Sequence, residues 1–430
     1  MKQNTPKCKL CGEYLQNTFA NLGTQPLCET YLSVEQLNKK ETFYPLNVLF
    51  CKKCLFVQLV ESISPEEIFK EYAYFSSHSK GWLKHVKTYA DMIIEKLNLS
   101  SKSFVVEIGS NDGYLLQFFS EKNISILGIE PAANIAKVAI SKGIPTSANF
   151  FNEEIVKDII LMNGKADLII GNNILAQVPK INQFIECLKK LLSPSGVITL
   201  EFHHLLNLIN KNQFDTISHE RFSYLSFFVV EKLFSSKKLK VFDVEEIPTH
   251  GGSLRLYICH ADNTSKSVTS RVKDLKVKEI SNGLTKIETY IAFDEKVKET
   301  KRKILDLFIN LKQKKRSVVG YGAHAEAHTL LNYCGITTDF LEYTVDRNPI
   351  KQGKFIAGVH VPILHPEKIS TKKPEFIVIL PWNIKSEIMK QMKNMEKWNG
   401  KFIVLIPSVQ MYYPDGSEII LESIKQEINN

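Results

Sequence analysis

Four cysteines open the chain in two pairs, Cys8-Lys-Leu-Cys11 and Cys51-Lys-Lys-Cys54. A two-residue turn between cysteines aims two thiolates at one point, and two such turns complete a tetrahedral shell. Cys8, Cys11, Cys51 and Cys54 therefore read as a closed, structural zinc site with no open position for substrate. The 39 residues between the pairs exceed the commonest zinc-ribbon spacing and demand a folded loop. Cys28, Cys187, Cys259 and Cys334 stand alone and read as core residues. A second constellation lies in VVEIGSNDGYLL, residues 105–116. Here Glu107, Gly109, Ser110, Asn111, Asp112 and Gly113 follow a strand-like run and open a helix-like one. The two glycines permit a tight turn and close approach of a ligand, and the amides at a helix start favour a carboxylate. Glu130, 23 residues after Glu107 and followed by Pro131, ends the next strand-like run. A carboxylate there can accept hydrogen bonds from both hydroxyls of a ribose. The spacing E-x-G-x-x-x-G, rather than G-x-G-x-x-G, favours S-adenosylmethionine over a nicotinamide. Asn172 and Asn173 end a later strand-like run, at the same edge of the sheet.

Elements must hold these residues in place. GWLKHVKTYADMIIEKL, within 76–100, has apolar residues at helical spacing. FVVEIG, ISILGIEP, ADLIIGNNIL and SGVITLEF read as buried strands, with helical runs between them, and such alternation predicts a parallel, doubly wound sheet. The expected fold class is α/β: a Rossmann-like methyltransferase domain, a small N-terminal zinc module and a second Rossmann-like α/β domain. The expected divisions are a zinc module over 1–75, a cofactor domain over 76–260, a Lys-rich helical connector over 261–316 and a substrate-binding α/β domain over 317–430.

Composition narrows the partners. The chain has 430 residues, 44% hydrophobic and 23% charged, which excludes disordered and fibrous classes. Its net charge of +9 is a mild excess suited to an anionic ligand. Residues 1–75 carry eight Lys and eight Glu with no Arg or Asp, so the metal module is neutral and nucleic acid is not expected. No run of about 18 apolar residues occurs, so no membrane helix is expected. The opening residues lack an apolar signal core, so a cytoplasmic location is expected. The sequence leaves the oligomeric state open, a monomer included.

Taken together, these motifs resemble the S-adenosylmethionine-dependent sugar C-methyltransferases that act on nucleotide-linked keto-deoxysugars. The resemblance runs through YPLNVLFCKKC (44–54), YAYFSSHS (72–79), VVEIGSNDGYLL and GIEPAANIA (128–136). It continues through FDTISHERFSYLS (214–226), THGGSLRLY (249–257), GYGAHAEAHTLLNYCGI (320–336), VDRNPIKQGKFIAGVHVPI (345–363) and ILPWN (379–383). It implies a zinc-bearing domain, a cofactor-binding domain and a C-terminal α/β domain that helps hold a nucleotide-diphosphate sugar. It implies removal of a proton beside a ketone, then methyl transfer to that carbon. Tyr74 and Ser77 are implied to reach the cofactor, and Tyr224, Arg255, Gly322, His324 and Glu326 the substrate.

The chain departs from the family pattern where the chemistry is expected. The family's Tyr-His-Glu-His before Phe-Ser-Tyr is here Ser218-His219-Glu220-Arg221-Phe222-Ser223-Tyr224. Gln177 stands where a His is usual, and Glu326 where a Lys is usual. Arginine stays protonated at any working pH, so Arg221 is no ordinary base. The catalytic candidates are His219 as base, Glu220 as its orienting group and Arg221 as a stabiliser of the enolate. Each also has an ordinary structural role open to it: a buried histidine, an ion pair, a salt bridge. Three readings stay open: C-methylation with a rearranged base, other chemistry on a nucleotide sugar (O-methylation, epimerisation or isomerisation), and sugar-nucleotide binding without catalysis.

Overall fold

The apolar runs between Phe104 and His260 are too continuous for half-exposed strands, and only a sheet covered on both faces hides them. The computed structural model, which describes residues 5–61, 63–68, 75–420 and 427–428, contains that sheet. Its elements are α1 (Lys80–Leu97), β1 (Phe104–Ile108), α2 (Leu116–Ser120), β2 (Ser125–Ile129), α3 (Ala133–Ser141), β3 (Thr146–Ser147), α4 (Glu153–Asn163), β4 (Ala166–Asn172), α5 (Ile181–Leu191), β5 (Leu192–His203), α6 (Phe227–Ser236), β6 (Leu239–Ile247), β7 (Ser253–His260) and α7 (Ser270–Ser281). The strand order is β3-β2-β1-β4-β5-β7-β6. Strands β1 to β5 run parallel, and β7 and β6 are antiparallel additions at one edge. The order turns back at β1, which lies between β2 and β4, so the carboxyl ends of β1 and β4 border the crevice where such sheets bind ligands.

Helix α1 shows why sequence and structure agree. The Ser79 side chain accepts from Trp82 N at 3.2 Å and caps the helix, and Asn98 ends it in the left-handed region at φ 51°. Val86, Tyr89, Ala90 and Ile93 form one buried stripe packed with Val105 of β1 and Leu168 of β4. The expected helix at 76–100 is shortened at its start because Ser76–His78 form a 3-10 turn. The helical run after the glycine loop is also brief, covering only Leu116–Ser120.

The chain divides into two units. The first comprises Met1–Gln16, Phe50–Leu206 and Arg221–Ile287; the second comprises Asn17–Leu49, Asn207–Glu220 and Glu288–Asn430. The second unit is built on α8 (Ile287–Gln313), β8 (Val318–Tyr321), α9 (Ala325–Cys334), β9 (Thr344–Val345), β10 (Ile363–Leu364), β11 (Phe376–Ile379), β12 (Lys401–Val404), β13 (Gln410–Tyr412) and β14 (Glu418–Ile419). Its sheet has the order β10-β9-β8-β11-β12-β13-β14, parallel from β10 to β12. The two parallel-rich sheets are the expected α/β architecture.

These divisions differ from the four-part expectation. The stretch between the cysteine pairs, Asn17–Leu49, is part of the second unit. Phe19 stacks on Phe293 with centroids 4.5 Å apart, Asn21 N donates to Asp294 Oδ1 at 2.9 Å, and Tyr31–Leu32 pair antiparallel with Phe355–Ile356. The Lys-rich stretch over 261–316 is likewise shared: α7 belongs to the first unit and nearly all of α8 to the second. Among the described residues, no helix is long and apolar enough to cross a membrane.

Candidate functional site

The two cysteine turns are built alike. Gly12 N donates to Cys8 O at 2.9 Å and Leu55 N to Cys51 O at 2.8 Å. Cys8 N reaches Glu13 O at 2.7 Å and Cys51 N reaches Phe56 O at 3.0 Å. Gly12 and Leu55 both take positive φ, 75° and 62°; for leucine this costs about 1–2 kcal/mol, accepted because the turn aims the thiols. The four Sγ atoms lie within 4.8 Å of one another, with Cys8–Cys54 and Cys11–Cys51 each at 3.5 Å. Tetrahedral Zn–S bonds of about 2.3 Å place sulfurs about 3.8 Å apart, so the donor set fits zinc. Gln58 tightens the site: its Nε2 donates to Cys8 Sγ at 3.3 Å while its Oε1 accepts from Lys9 N at 2.9 Å. The hydrogen bond from the Cys54 thiol, acting against burial, holds Cys8 down to about 5.

The glycine loop follows β1 as expected. Gly109, Asn111 and Gly113 take positive φ of 72°, 48° and 77°. A Cβ on Gly113 would lie 2.8 Å from Ile144 Cγ1, so only glycine fits there. Glu130 holds the loop itself: its Oε2 accepts from Asn111 N at 3.0 Å and its Oε1 from Ala132 N at 2.9 Å. Both oxygens keep a lone pair for a ribose. Pro131 is half-buried beside it. Asp112 Oδ2 pairs with Lys142 Nζ at 2.9 Å and accepts from the Ser77 hydroxyl, and the Asn111 side chain accepts from Ser76 N at 2.9 Å. The stretch from Ser76 is thus tied to the loop, with Ser77 on Asp112; Tyr74 lies outside the described residues.

Several buried polar atoms around this loop have no hydrogen-bond partner among the described residues. They are both carboxyl oxygens of Glu107, Ser110 Oγ, Asp112 Oδ1 and Asn172 Nδ2. Glu107 is fully buried, and burial pushes its carboxyl well above the ordinary range against the pull of the Tyr114 hydroxyl; the Glu130 and Asp112 charges push it further. Unpaired buried polar groups cost free energy unless a ligand satisfies them. A ligand with an ammonium group, a positive sulfur and hydroxyls fits this donor set, as S-adenosylmethionine requires.

At the carboxyl edge beyond β4 the structure adds Trp82, His85, Glu201 and His250, which sequence reasoning missed, to the expected Asn173 and Arg255. Asn173, at φ 61°, has its N bonded to Glu201 O at 2.7 Å and its Nδ2 3.2 Å from His250 Nε2. Trp82 stacks on His85 at 5.0 Å and on Tyr114 at 6.2 Å, and meets His250 edge-on at 5.5 Å. His85 Nε2 lies 3.3 Å from Glu201 Oε2, and Arg255 donates to Glu201 at 2.7 Å and to Glu245 at 3.1 Å. Burial opposes ionising Glu201, but the His85 hydrogen bond and the Arg255 charge outweigh it and hold the carboxylate below its ordinary range. The signal for His250 is present in Thr-His-Gly-Gly, because two glycines after a polar residue mark unusual backbone.

The catalytic and substrate candidates are divided between the two units. His219 and Glu220 close a segment of the second unit, and Arg221 begins a segment of the first. His219 is 1% exposed, with Nε2 3.3 Å from Tyr44 O. Burial holds it below its ordinary value against the Tyr44 and Pro45 carbonyls. Its surroundings are those of an interior histidine anchoring the 207–220 segment. Glu220 is half-buried and bears on Cys28, whose thiol is pushed up first by burial and then by the Glu220 charge. Arg221 is half-buried. Tyr224 is buried in a strand opposite Val57, and Arg255 is buried between Glu201 and Glu245, so neither lies open to a substrate as expected. The ordering of β7 and β5 explains this: Arg255 is in register with Glu201, inside the sheet. In the second unit Gly322, at φ 98°, lets the chain pass Pro381, whose Cδ a Cβ would approach to 2.6 Å. His324 precedes α9 and pairs with Glu326 at 3.2 Å.

Three family profiles match in sequence order: a zinc binding domain over residues 8–69, a methyltransferase domain over 82–241 and a C-methyltransferase C-terminal domain over 248–407. The chain is 32% identical over 401 residues to the C-methyltransferase NovU of Streptomyces niveus, covering 93% of this chain and 95% of that protein. Among solved structures, an S-adenosylmethionine-dependent methyltransferase from Clostridium acetobutylicum covers 41% of this chain and 92% of its own, at 14% identity and a TM-score of 0.33. Magnesium protoporphyrin IX methyltransferase from Synechocystis covers 42% and 84%, at 16% identity and a TM-score of 0.34.

Proposed function

The chain belongs to the S-adenosylmethionine-dependent C-methyltransferases, and from that premise we propose that it methylates a nucleotide-linked ketosugar at the carbon beside the ketone. The cofactor supplies a methyl group on a positively charged sulfur. Glu107, Gly109, Ser110, Asn111, Asp112, Gly113, Glu130, Pro131, Asn172 and Asn173, with Ser77 behind them, are the residues that would hold it. The carbon of a methylene or methine is a nucleophile only after losing a proton, and a neighbouring ketone makes that loss accessible because the charge moves to oxygen.

The nucleotide part of the reading rests on one observation in the second unit. The strand β8, the Gly320–Gly322 turn and helix α9 form a strand–glycine–helix passage, and the next strand, β9, is followed directly by Asp346. Asp346 Oδ2 accepts from Ala323 N at 2.9 Å and its Oδ1 from Asn348 N at 2.8 Å. A turn so fastened before a helix start is a cradle for a pyrophosphate. The mild positive charge of the chain suits the same ligand.

The test is incubation with S-adenosylmethionine and a panel of nucleotide-linked 4-ketosugars in deuterated water, read by mass spectrometry. A gain of one methyl group on a ketosugar is expected. Deuterium uptake without methyl gain would favour an epimerase or isomerase, and no change on any sugar would count against a nucleotide-sugar substrate.

A further inference from the structure

Methylation at carbon needs a proton acceptor, and neither expected histidine position supplies one. Arg221 carries no lone pair at working pH. His219 is buried against the Tyr44 and Pro45 carbonyls. The remaining histidines of the first unit are His78, His85, His203, His204, His250 and His260. His204 is 2.7 Å from Glu279 and fully buried, and His85 serves Glu201. His260 lies 3.4 Å from Leu192 O, at the amino end of β5 and so at the wrong edge of the sheet. His203 is 9% exposed, closed in at the end of β5. His78 is exposed and stacks on Phe75, at 5.4 Å.

His250 differs from all of these. It sits on the connection from β6 to β7, which the bond from His204 N to Gly252 O, at 3.1 Å, fastens to the carboxyl end of β5. It is half-buried, and its ring is fixed by two independent neighbours: the Asn173 amide at 3.2 Å and the edge contact with Trp82 at 5.5 Å. Because an amide nitrogen only donates, the contact places the Nε2 lone pair toward the Asn173 amide. The backbone is held in an unfavourable conformation to achieve this. His250 has φ 52°, followed by Gly251 at 83° and Gly252 at 127°. A side chain at positive φ persists only where its surroundings over-determine it, and such positions gather at functional sites. Asn173 follows Asn172 directly, and Trp82 stacks on Tyr114 beside Glu107, so the imidazole borders the same crevice as the cofactor loop.

We propose that His250 is the proton acceptor of the reaction, its ring held by Trp82 and its Nε2 covered by the Asn173 amide until substrate enters. The inference rests on the ketosugar reading above. As substrate enters, its C–H beside the ketone takes the place of the Asn173 amide at Nε2. The proton passes to Nε2, and the C–H electron pair becomes the enolate. The enolate carbon then bonds to the methyl carbon as the S–CH3 bond breaks, leaving a neutral thioether. The imidazolium returns its proton to water.

The experiment compares wild type, His250→Asn and His250→Gly in deuterated water with the ketosugar that wild type turns over. Asparagine and glycine both tolerate positive φ, so the loop is retained. Solvent exchange at the carbon and methyl transfer should fall together by about 10²–10⁴-fold, with S-adenosylmethionine affinity unchanged. Added imidazole should restore exchange to His250→Gly, and the acidic limb of the kcat profile should vanish in both variants. Retained exchange in His250→Asn, or absence of rescue in His250→Gly, would overturn the assignment. A wild type that neither exchanges nor methylates any ketosugar would overturn the substrate reading itself, and the base assignment with it.

Discussion

The two α/β units use the same backbone device with different chemical surroundings. In each, a carboxylate at the end of the second strand clamps the turn after the first. Glu130 binds Asn111 N and Ala132 N; Asp346 binds Ala323 N and Asn348 N. Around the first turn the unpartnered buried atoms are mainly acidic, on Glu107 and Asp112. Around the second they are imidazole nitrogens, Nδ1 of His324 and both of His328, near Lys351, which is buried and paired with Glu29 at 2.9 Å. The backbone device is shared, and the side chains decide which ligand groups the turn can meet. An acidic surround suits a cationic cofactor, whereas burial holds His328 down to about 3, so its imidazole meets a ligand as a neutral hydrogen-bonding group.

The largest expected effect separates the units by stability. Structural zinc contributes about 10 kcal/mol or more to small folded sites. Cys51→Ser should therefore abolish zinc binding and remove hydrogen-exchange protection around residues 50–60, while β8, β11 and β12 stay protected. Equal loss in both sheets would erase the distinction. Wild type should carry about one zinc per chain, read by metal analysis.

Next in size are the clamps. Glu130→Ala should weaken S-adenosylmethionine binding by about 1–3 kcal/mol, and Asp346→Ala should leave it unchanged. Calorimetry on both variants checks this; a loss with Asp346→Ala would mean that the two turns do not serve different ligands. The same titration carries a pH signature. The fold raises the Glu107 carboxyl, so protons compete with a cationic ligand. Affinity should rise with pH by at most about tenfold per unit until Glu107 is ionised, and Glu107→Gln should flatten that slope.

The glycines give a smaller contrast. Gly113→Ala meets Ile144 and Gly322→Ala meets Pro381, each at positive φ; the backbone alone costs about 1–2 kcal/mol. Only Gly113→Ala should reduce S-adenosylmethionine affinity, though both should lower the melting temperature. The smallest effect is acid sensitivity of the second unit. Burial lowers His219 from 6.5, and His328 to about 3. The unfolded chain then binds protons that the folded one refuses, so stability present above pH 6.5 should decline as pH falls below it. His219→Gln should soften that decline in acid-denaturation curves.

The zinc cysteines, the glycine loop, Glu130 and the alternation of strands are legible because each is a local pattern with one physical meaning. Gly113 must be glycine whatever lies elsewhere, and α1 declares itself by cap and stripe. His219 and Arg255 mislead for the opposite reason. Their types suggest reactive surfaces, yet Tyr44 O and Glu201 claim them, and those partners lie 175 and 54 residues away in sequence. The Thr-His-Gly-Gly run marks an unusual backbone at His250, but what the side chain meets depends on Asn173, 77 residues earlier.

Sequence alone determined the fold class, the metal donors and the cofactor loop, since short-range spacing and backbone sterics fix them. Only the tertiary structure decided that residues 17–49 pack within the second unit, and which histidine faces the crevice. Both depend on long-range packing, which a linear pattern does not encode: Phe19 finds Phe293, and Asn173 finds His250.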